Sequence, residues 1–148
     1  MATDGDAKKF RVLLVNANAN IVKLMCTLLI QNGHEVQFAV TAESALRQVS
    51  VVRPEVIFTG LELPDSNGYD LVQQFRGRAE SRHAFIVALE GSSPLHRYDD
   101  YKSAGFDHIL VKPVKLDEVV RTVAFLSEHC QLLARPVFRR NHIVAHDL

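Results

Sequence analysis

The chain has 148 residues, seventeen of them basic and seventeen acidic, so its formal net charge is zero. That length fits one domain with a sizeable core and excludes two ordinary ones, and the balanced charge excludes a strong whole-molecule field drawing it to nucleic acid or anionic lipid. The opening MATDGDAKKF lacks the apolar core of a secretory signal, and no uncharged apolar stretch approaches the roughly 20 residues needed to span a bilayer, so a soluble, cytoplasmic protein is expected.

Short apolar runs alternate with longer amphipathic segments five times over. RVLLV (11–15) is a continuous β-branched and leucine run, as in a strand buried on both faces of a parallel sheet. The next segment sets Ile21, Leu24, Met25, Leu28 and Leu29 at helical spacing and stops at Gly33. EVQFAV (35–40) reads as a second strand, Thr41 opens a second helix running to about Val52, and Pro54 separates it from the third strand, EVIFT.

The loop GLELPDSNG concentrates turn formers ahead of a third helix from Tyr69 to about Arg78. AFIVALE (84–90) is the fourth strand, Pro94 starts a fourth helix carrying Leu95, Tyr98 and Tyr101, and DHILV (107–111) is the fifth strand. A long last helix carries Leu116, Val119, Val120, Val123, Leu126 and Leu133 as its apolar stripe. Strict β-α alternation with short connections implies right-handed crossovers and a parallel sheet covered by helices on both faces. Sites in such folds form at the carboxyl ends of the strands, here residues 15–18, 59–62, 89–92 and 111–113.

Three segments, LLVNANANIVKLMCTLL, VRPEVIFTGLELPDSNGYDLVQQFR and AGFDHILVKPVKLDEV, in this order and spacing, make residues 10–133 resemble the receiver domain of two-component response regulators. Residues 1–9 are then a flexible N-terminal segment and residues 134–148 a C-terminal extension. The resemblance implies an α/β, flavodoxin-like doubly wound (βα)5 fold with a five-stranded parallel sheet of order 2-1-3-4-5. It also implies a phosphoryl group carried on an aspartate at the end of strand three, with Mg²⁺ held partly by an acidic pair at the end of strand one. That chemistry needs a carboxylate nucleophile, a divalent cation, and a cation plus a hydroxyl to hold phosphoryl oxygens.

Matched position by position, the requirements fail. The acidic pair falls on Asn16 and Ala17, the phosphorylated aspartate on Gly60, the hydroxyl residue on Glu90 and the aromatic switch residue on Ile109; only Lys112, followed by Pro113, keeps the family identity. A hard cation prefers charged oxygen ligands, so no metal or other cofactor is expected. Catalysis is not expected either, because no paired acid and base or activated nucleophile survives at the strand ends.

A buried ammonium without its carboxylates is costly, so an ion pair between Glu90 and Lys112 is expected in its place. The leading reading is a receiver-like module independent of phosphorylation that acts by contact with a kinase, a regulator, an output protein or a second copy, and not with nucleic acid or membrane. Two alternatives stay open: a phosphorelay receiver using Glu62 or Asp65 as an unusual acceptor, and a binder of a small anion held by Asn16, Asn18 and Lys112. Tyr98 and Tyr101, set among charged residues, form a candidate interaction face, on the surface the family uses for docking. Cys26 and Cys130 read as buried thiols on the first and last helices, and the seven histidines show no metal-ligand spacing. In the extension, Val137, Phe138, Ile143 and Val144 are too apolar to lie comfortably exposed and are expected either to pack back on the domain or to join a partner subunit, and Arg135, Arg139 and Arg140 suit an acidic partner.

Overall fold

The structure is a computed structural model that describes residues 9–89, 98–111 and 114–129. Its elements are β1 (Arg11–Val15), α1 (Ala19–Gln31), β2 (Glu35–Ala39), α2 (Ala42–Val52), β3 (Val56–Thr59), α3 (Gly68–Arg76), β4 (Phe85–Leu89), α4 (Tyr98–Ala104), β5 (His108–Leu110) and α5 (Leu116–Glu128). The five strands are all parallel and lie in the order β2-β1-β3-β4-β5. The expected fold class and strand order are therefore observed. Glu90, Pro94, the Lys112–Pro113 pair and everything beyond His129, Cys130 and Leu133 included, lie outside the described residues.

β1 is the inner strand on which both layers close. Val12 and Leu14 point to one face, where they meet Val22, Met25 and Leu29 of α1 and Val119, Val123 and Leu126 of α5. Leu13 and Val15 point to the other, against Ala45 and Val49 of α2, Leu71, Val72 and Phe75 of α3, and Tyr101 of α4. Successive side chains on a strand alternate faces, so a strand between two layers must be apolar at every position.

α1 turns differently from the expected stripe. The sheet takes Val22, Met25, Cys26 and Leu29, while Ile21 and Leu24 stay 36% and 52% exposed. Apolar residues occupy more than half the circumference of this helix, so composition leaves its phase open. The phase is fixed by packing, which selects the face that meets the sheet and α5. Cys26 is a buried free thiol whose pKa burial pushes up, in keeping with a small hydrophobe. On α5 the observed face adds Thr122 and Ser127 to the expected valines and leucine.

Two polar devices tie down the amino ends of the strands, opposite the expected site. Arg76, at the end of α3, donates through Nε and Nη2 to the Gly105 carbonyl at 3.0 and 2.7 Å. Through Nη1 it donates to the carbonyls of Arg82 (2.9 Å) and Ala84 (2.7 Å). Its Nη2 also pairs with Asp107 Oδ2 at 2.8 Å, and that oxygen accepts the Ile86 backbone N–H at 2.9 Å. One guanidinium thus joins α3 to the chain leading into β4 and β5, in a pair whose side chains are only 22% and 11% exposed. At the far edge, the Phe10 N–H donates to Nδ1 of the buried His34, and the two rings stack with centroids 6.0 Å apart.

Two outcomes are expected. Arg76→Ala should lower the unfolding free energy by about 3 kcal/mol in urea denaturation, because it leaves a buried carboxylate without its guanidinium and three carbonyls without their donor. His34 accepts at Nδ1 and therefore must be neutral there; desolvation, then the nearby Lys9 charge, lower its pKa below 6.5. The unfolded chain then binds the proton more readily, so stability present above pH 6.5 should be lost progressively as pH falls below it. Urea midpoints between pH 7.5 and 5 should show that decline in the wild type and a flatter one in His34→Gln.

Candidate functional site

The strand register brings the carboxyl ends of β1 and β3 side by side: Val15 pairs with Ala39 on one flank and Thr59 on the other, and Thr59 with Ala88. The Gly60 N–H donates to the Val15 carbonyl at 2.8 Å, and the Asn16 N–H to the Ala39 carbonyl at 3.1 Å. A Cβ added to Gly60 would lie 3.1 Å from Asn16 Nδ2. The structure thus brings Asn16 and Gly60 together, with Ala17 next along the chain.

What these residues do there is local. Asn16 Oδ1 accepts the Asn18 N–H at 2.9 Å, and Asn18 Oδ1 accepts the N–H groups of Asn20 (3.0 Å) and Ile21 (3.1 Å). The first is a side-chain turn and the second the N-cap of α1, so two asparagines carry the chain from strand to helix without charge. Ala17 is exposed and offers only a methyl group. Thr59 is fully buried and its hydroxyl donates to the Gly60 carbonyl at 3.0 Å.

The receiver resemblance implies Mg²⁺ at this rim. Among the described residues at the positions matched to the family's acidic pair and phosphoacceptor, the side-chain donor set reduces to one neutral amide oxygen already engaged by a backbone N–H, beside a methyl group and a glycine, which does not fit a hard dication. Among the described residues no group of three His, Cys, Asp or Glu side chains is placed to hold a metal ion.

The loop after Gly60 is also closed on itself. Glu62 and Asn67 form an antiparallel bridge, the Leu63 N–H donates to the Ser66 carbonyl, and Asn67 Oδ1 caps α3 through the Asp70 N–H at 2.9 Å. Gly68 is required here: a Cβ on it would lie 2.5 Å from the Gly60 carbonyl oxygen and 2.9 Å from Leu61 Cα. Asp65, one of the two proposed substitute acceptors, turns away to α2, where Oδ1 accepts the Ala42 N–H at 2.8 Å and Oδ2 the Glu43 N–H at 3.0 Å. Those two hydrogen bonds hold its pKa below the ordinary carboxylate value. Glu62 is exposed.

Ile109 is half-buried against the α3 and α4 side of the core. Tyr101 corrects the expected interaction face. It is 1% exposed and stacks on Tyr69 at 5.9 Å, with Phe106 edge-on to both. Its large ring adds more by burial than it would at the surface, and α4 turns it inward over α3. The Tyr98 side chain, Glu90 and Lys112 lie outside the described residues, and so does the expected ion pair between the last two. Sequence reasoning missed the capping role of Asn18, for which the signal was an asparagine two and three residues before unsatisfied helix donors, and the close approach at Gly68.

Beyond this geometry, a family profile described as the response regulator receiver domain matches residues 12–124. The chain belongs to the response regulator receiver family. Among curated proteins, this receiver is 27% identical over 132 residues to the transcriptional regulatory protein TrcR of Mycobacterium tuberculosis, covering 88% of the chain and 50% of the relative. It is 28% identical over 109 residues to the two-component response regulator PhoP of Pseudomonas aeruginosa, covering 74% and 48%. The chain thus spans about half the length of the curated relatives it matches.

Of solved structures, the chemotaxis response regulator CheY4 of Vibrio cholerae superposes with a TM-score of 0.71 at 25% identity, over 78% of this chain and 97% of that one. A CheY-like receiver domain protein of Methanospirillum hungatei gives 0.74 at 20% identity, over 84% and 98%, a likeness of fold alone. Receiver domains are typically signalling modules and not enzymes, and among the described residues no helix is long and apolar enough to cross a membrane.

If Asn18 is a cap and not an anion ligand, Asn18→Ala should cost about 1 kcal/mol and Asn18→Asp should restore most of it. Thermal melts of the two variants with and without inorganic phosphate check this; a melting temperature raised by phosphate in the wild type and not in Asn18→Ala would revive the anion-binding reading.

Proposed function

We propose that this receiver works without phosphorylation and passes signals by contact with a protein partner in two-component regulation. One observation carries the reading: the positions that resemble the family's metal-binding pair and phosphoacceptor hold Asn16, Ala17 and Gly60, and the one polar side chain among them is committed to the turn into α1. A phosphoryl group arriving here meets no carboxylate at the acceptor position and no acidic pair to hold a divalent cation. The partner is a kinase, a regulator, an output protein or a second copy of the chain, and the setting is the cytoplasm, where response regulators usually act. A partner that binds one conformation better shifts the population toward it, which supplies a switch without covalent modification. The Asp65 hydrogen bonds to α2 speak against that carboxylate as a substitute acceptor.

The test is an amide NMR titration with Mg²⁺ and then with Mg²⁺ plus beryllofluoride, which mimics an aspartyl phosphate. Residues 16–18 and 60–62 should not shift beyond a matched-salt control, and intact mass after treatment with a small phosphodonor should show no added phosphoryl group. The triple variant Asn16→Asp, Ala17→Asp, Gly60→Asp should gain the Mg²⁺ response. A wild-type response at low concentration, or a phosphoryl group mapped to Glu62 or Asp65, would overturn the proposal.

A further inference from the structure

Along the flank of α5 beside β5 runs an open groove of about 330 Å³ lined by Leu110, Glu118, Arg121, Thr122, Ala124, Phe125 and Glu128. Leu110, Ala124 and Phe125 provide apolar surface, while Glu118 and Glu128 stand at either end and Arg121 is drawn to Asp117 at 3.6 Å. Glu128 is the last residue of α5, whose final turn carries no basic side chain. A carboxylate at the negative end of a helix dipole is unfavourable, and a cation placed there relieves it.

We infer that residues 135–144 of this same chain fold back into the groove, seating Val137 and Phe138 on Phe125, Ala124 and Leu110 and bringing Arg135, Arg139 and Arg140 to the carboxylates of Glu128 and Glu118. The segment has both halves of the complement, four apolar side chains (Val137, Phe138, Ile143, Val144) and three arginines. Its reach is sufficient. Glu118 and Glu128 are ten residues apart on a helix, about 15 Å, whereas residues 135–144 extended span about 30 Å. A proline disfavours helical backbone at the residue before it, so the sequence around Pro136 is compatible with an extended segment.

The groove favours a tethered occupant over a second copy. It is one helix wide and lined by seven residues, against the roughly 800 Å² per partner of a stable interface, while a short tether sets an effective concentration in the millimolar range. Bound there, the segment covers the β5–α5 flank and competes with any protein that docks on it. That regulatory consequence rests on the contact-based function proposed above; the docking itself does not.

The experiment uses the full-length protein with methyl and aromatic isotope labels. Nuclear Overhauser contacts are expected between the Phe138 ring and the Leu110 methyls or Phe125 ring. The double variant Val137→Asp, Phe138→Asp should erase them and shift Leu110, Ala124 and Phe125 signals, while Val22 and Leu29 under α1 stay in place. Glu128→Arg should weaken the contacts, and Glu128→Arg with Arg135→Glu should restore them. No such contacts in the wild type, contacts only between differently labelled chains, or contacts to Leu24 on α1 instead would each overturn the inference. The Mg²⁺ and beryllofluoride response is read on residues 16–18 and 60–62, so either proposal can fail alone.

Discussion

Everything in this fold depends on β1 being buried from both sides. Val12, Leu13, Leu14 and Val15 have no exposed surface, and their alternation hands two side chains to the layer of α1 and α5 and two to the layer of α2, α3 and α4. From Val12 to Val15 the strand carries no polar side chain, so at this end of the sheet polar chemistry begins only where β1 stops. Asn16 is the first residue free of that constraint. It lies between the ends of β2 and β3, so whatever stands there decides what the carboxyl rim can bind.

At this rim the receiver architecture is retained, and Asn16, Ala17 and Gly60 stand at the positions that resemble the family's carboxylates. The backbone still delivers residues 16 and 60 into contact, and Gly68 still lets α3 begin against the Gly60 and Leu61 backbone. The side chains have been reassigned to structure: Asn16 and Asn18 to the start of α1, Asp65 to the start of α2, Asn67 to the start of α3. Three helix N-termini that begin around the same rim are thus satisfied by neutral or singly charged caps drawn from the loops that family members use for phosphate and metal. The opposite end of the sheet is held separately, by Arg76 with Asp107 and by His34 with Phe10, so the frame there does not rest on the side chains of the rim.

Tyr101 withdraws into an aromatic cluster with Tyr69 and Phe106, so the α4 tyrosine expected to greet a partner instead anchors α4 to α3. Among the described residues, exposed apolar surface is offered by Ile21, Leu24 and Ile30 on α1, by Phe38, Val51 and Val111, and by the groove beside α5.

By itself the sequence determined the five βα units, their order, the double burial of β1 and the absence of carboxylates at residues 16, 17 and 60. Each of these is a matter of residue type at a position, and a short-range period of two or 3.6 reports it directly. Tertiary structure alone decided the phase of α1, the inward turn of Tyr101 and the occupation of Asp65. An apolar stripe wider than half a helix has no unique buried face until a sheet is laid against it. A tyrosine among charges is amphipathic enough for either side, and a loop carboxylate finds its partner only once a helix 22 residues away in sequence presents its N–H groups beside it. Long-range contacts choose among states that local chemistry leaves nearly equal in energy.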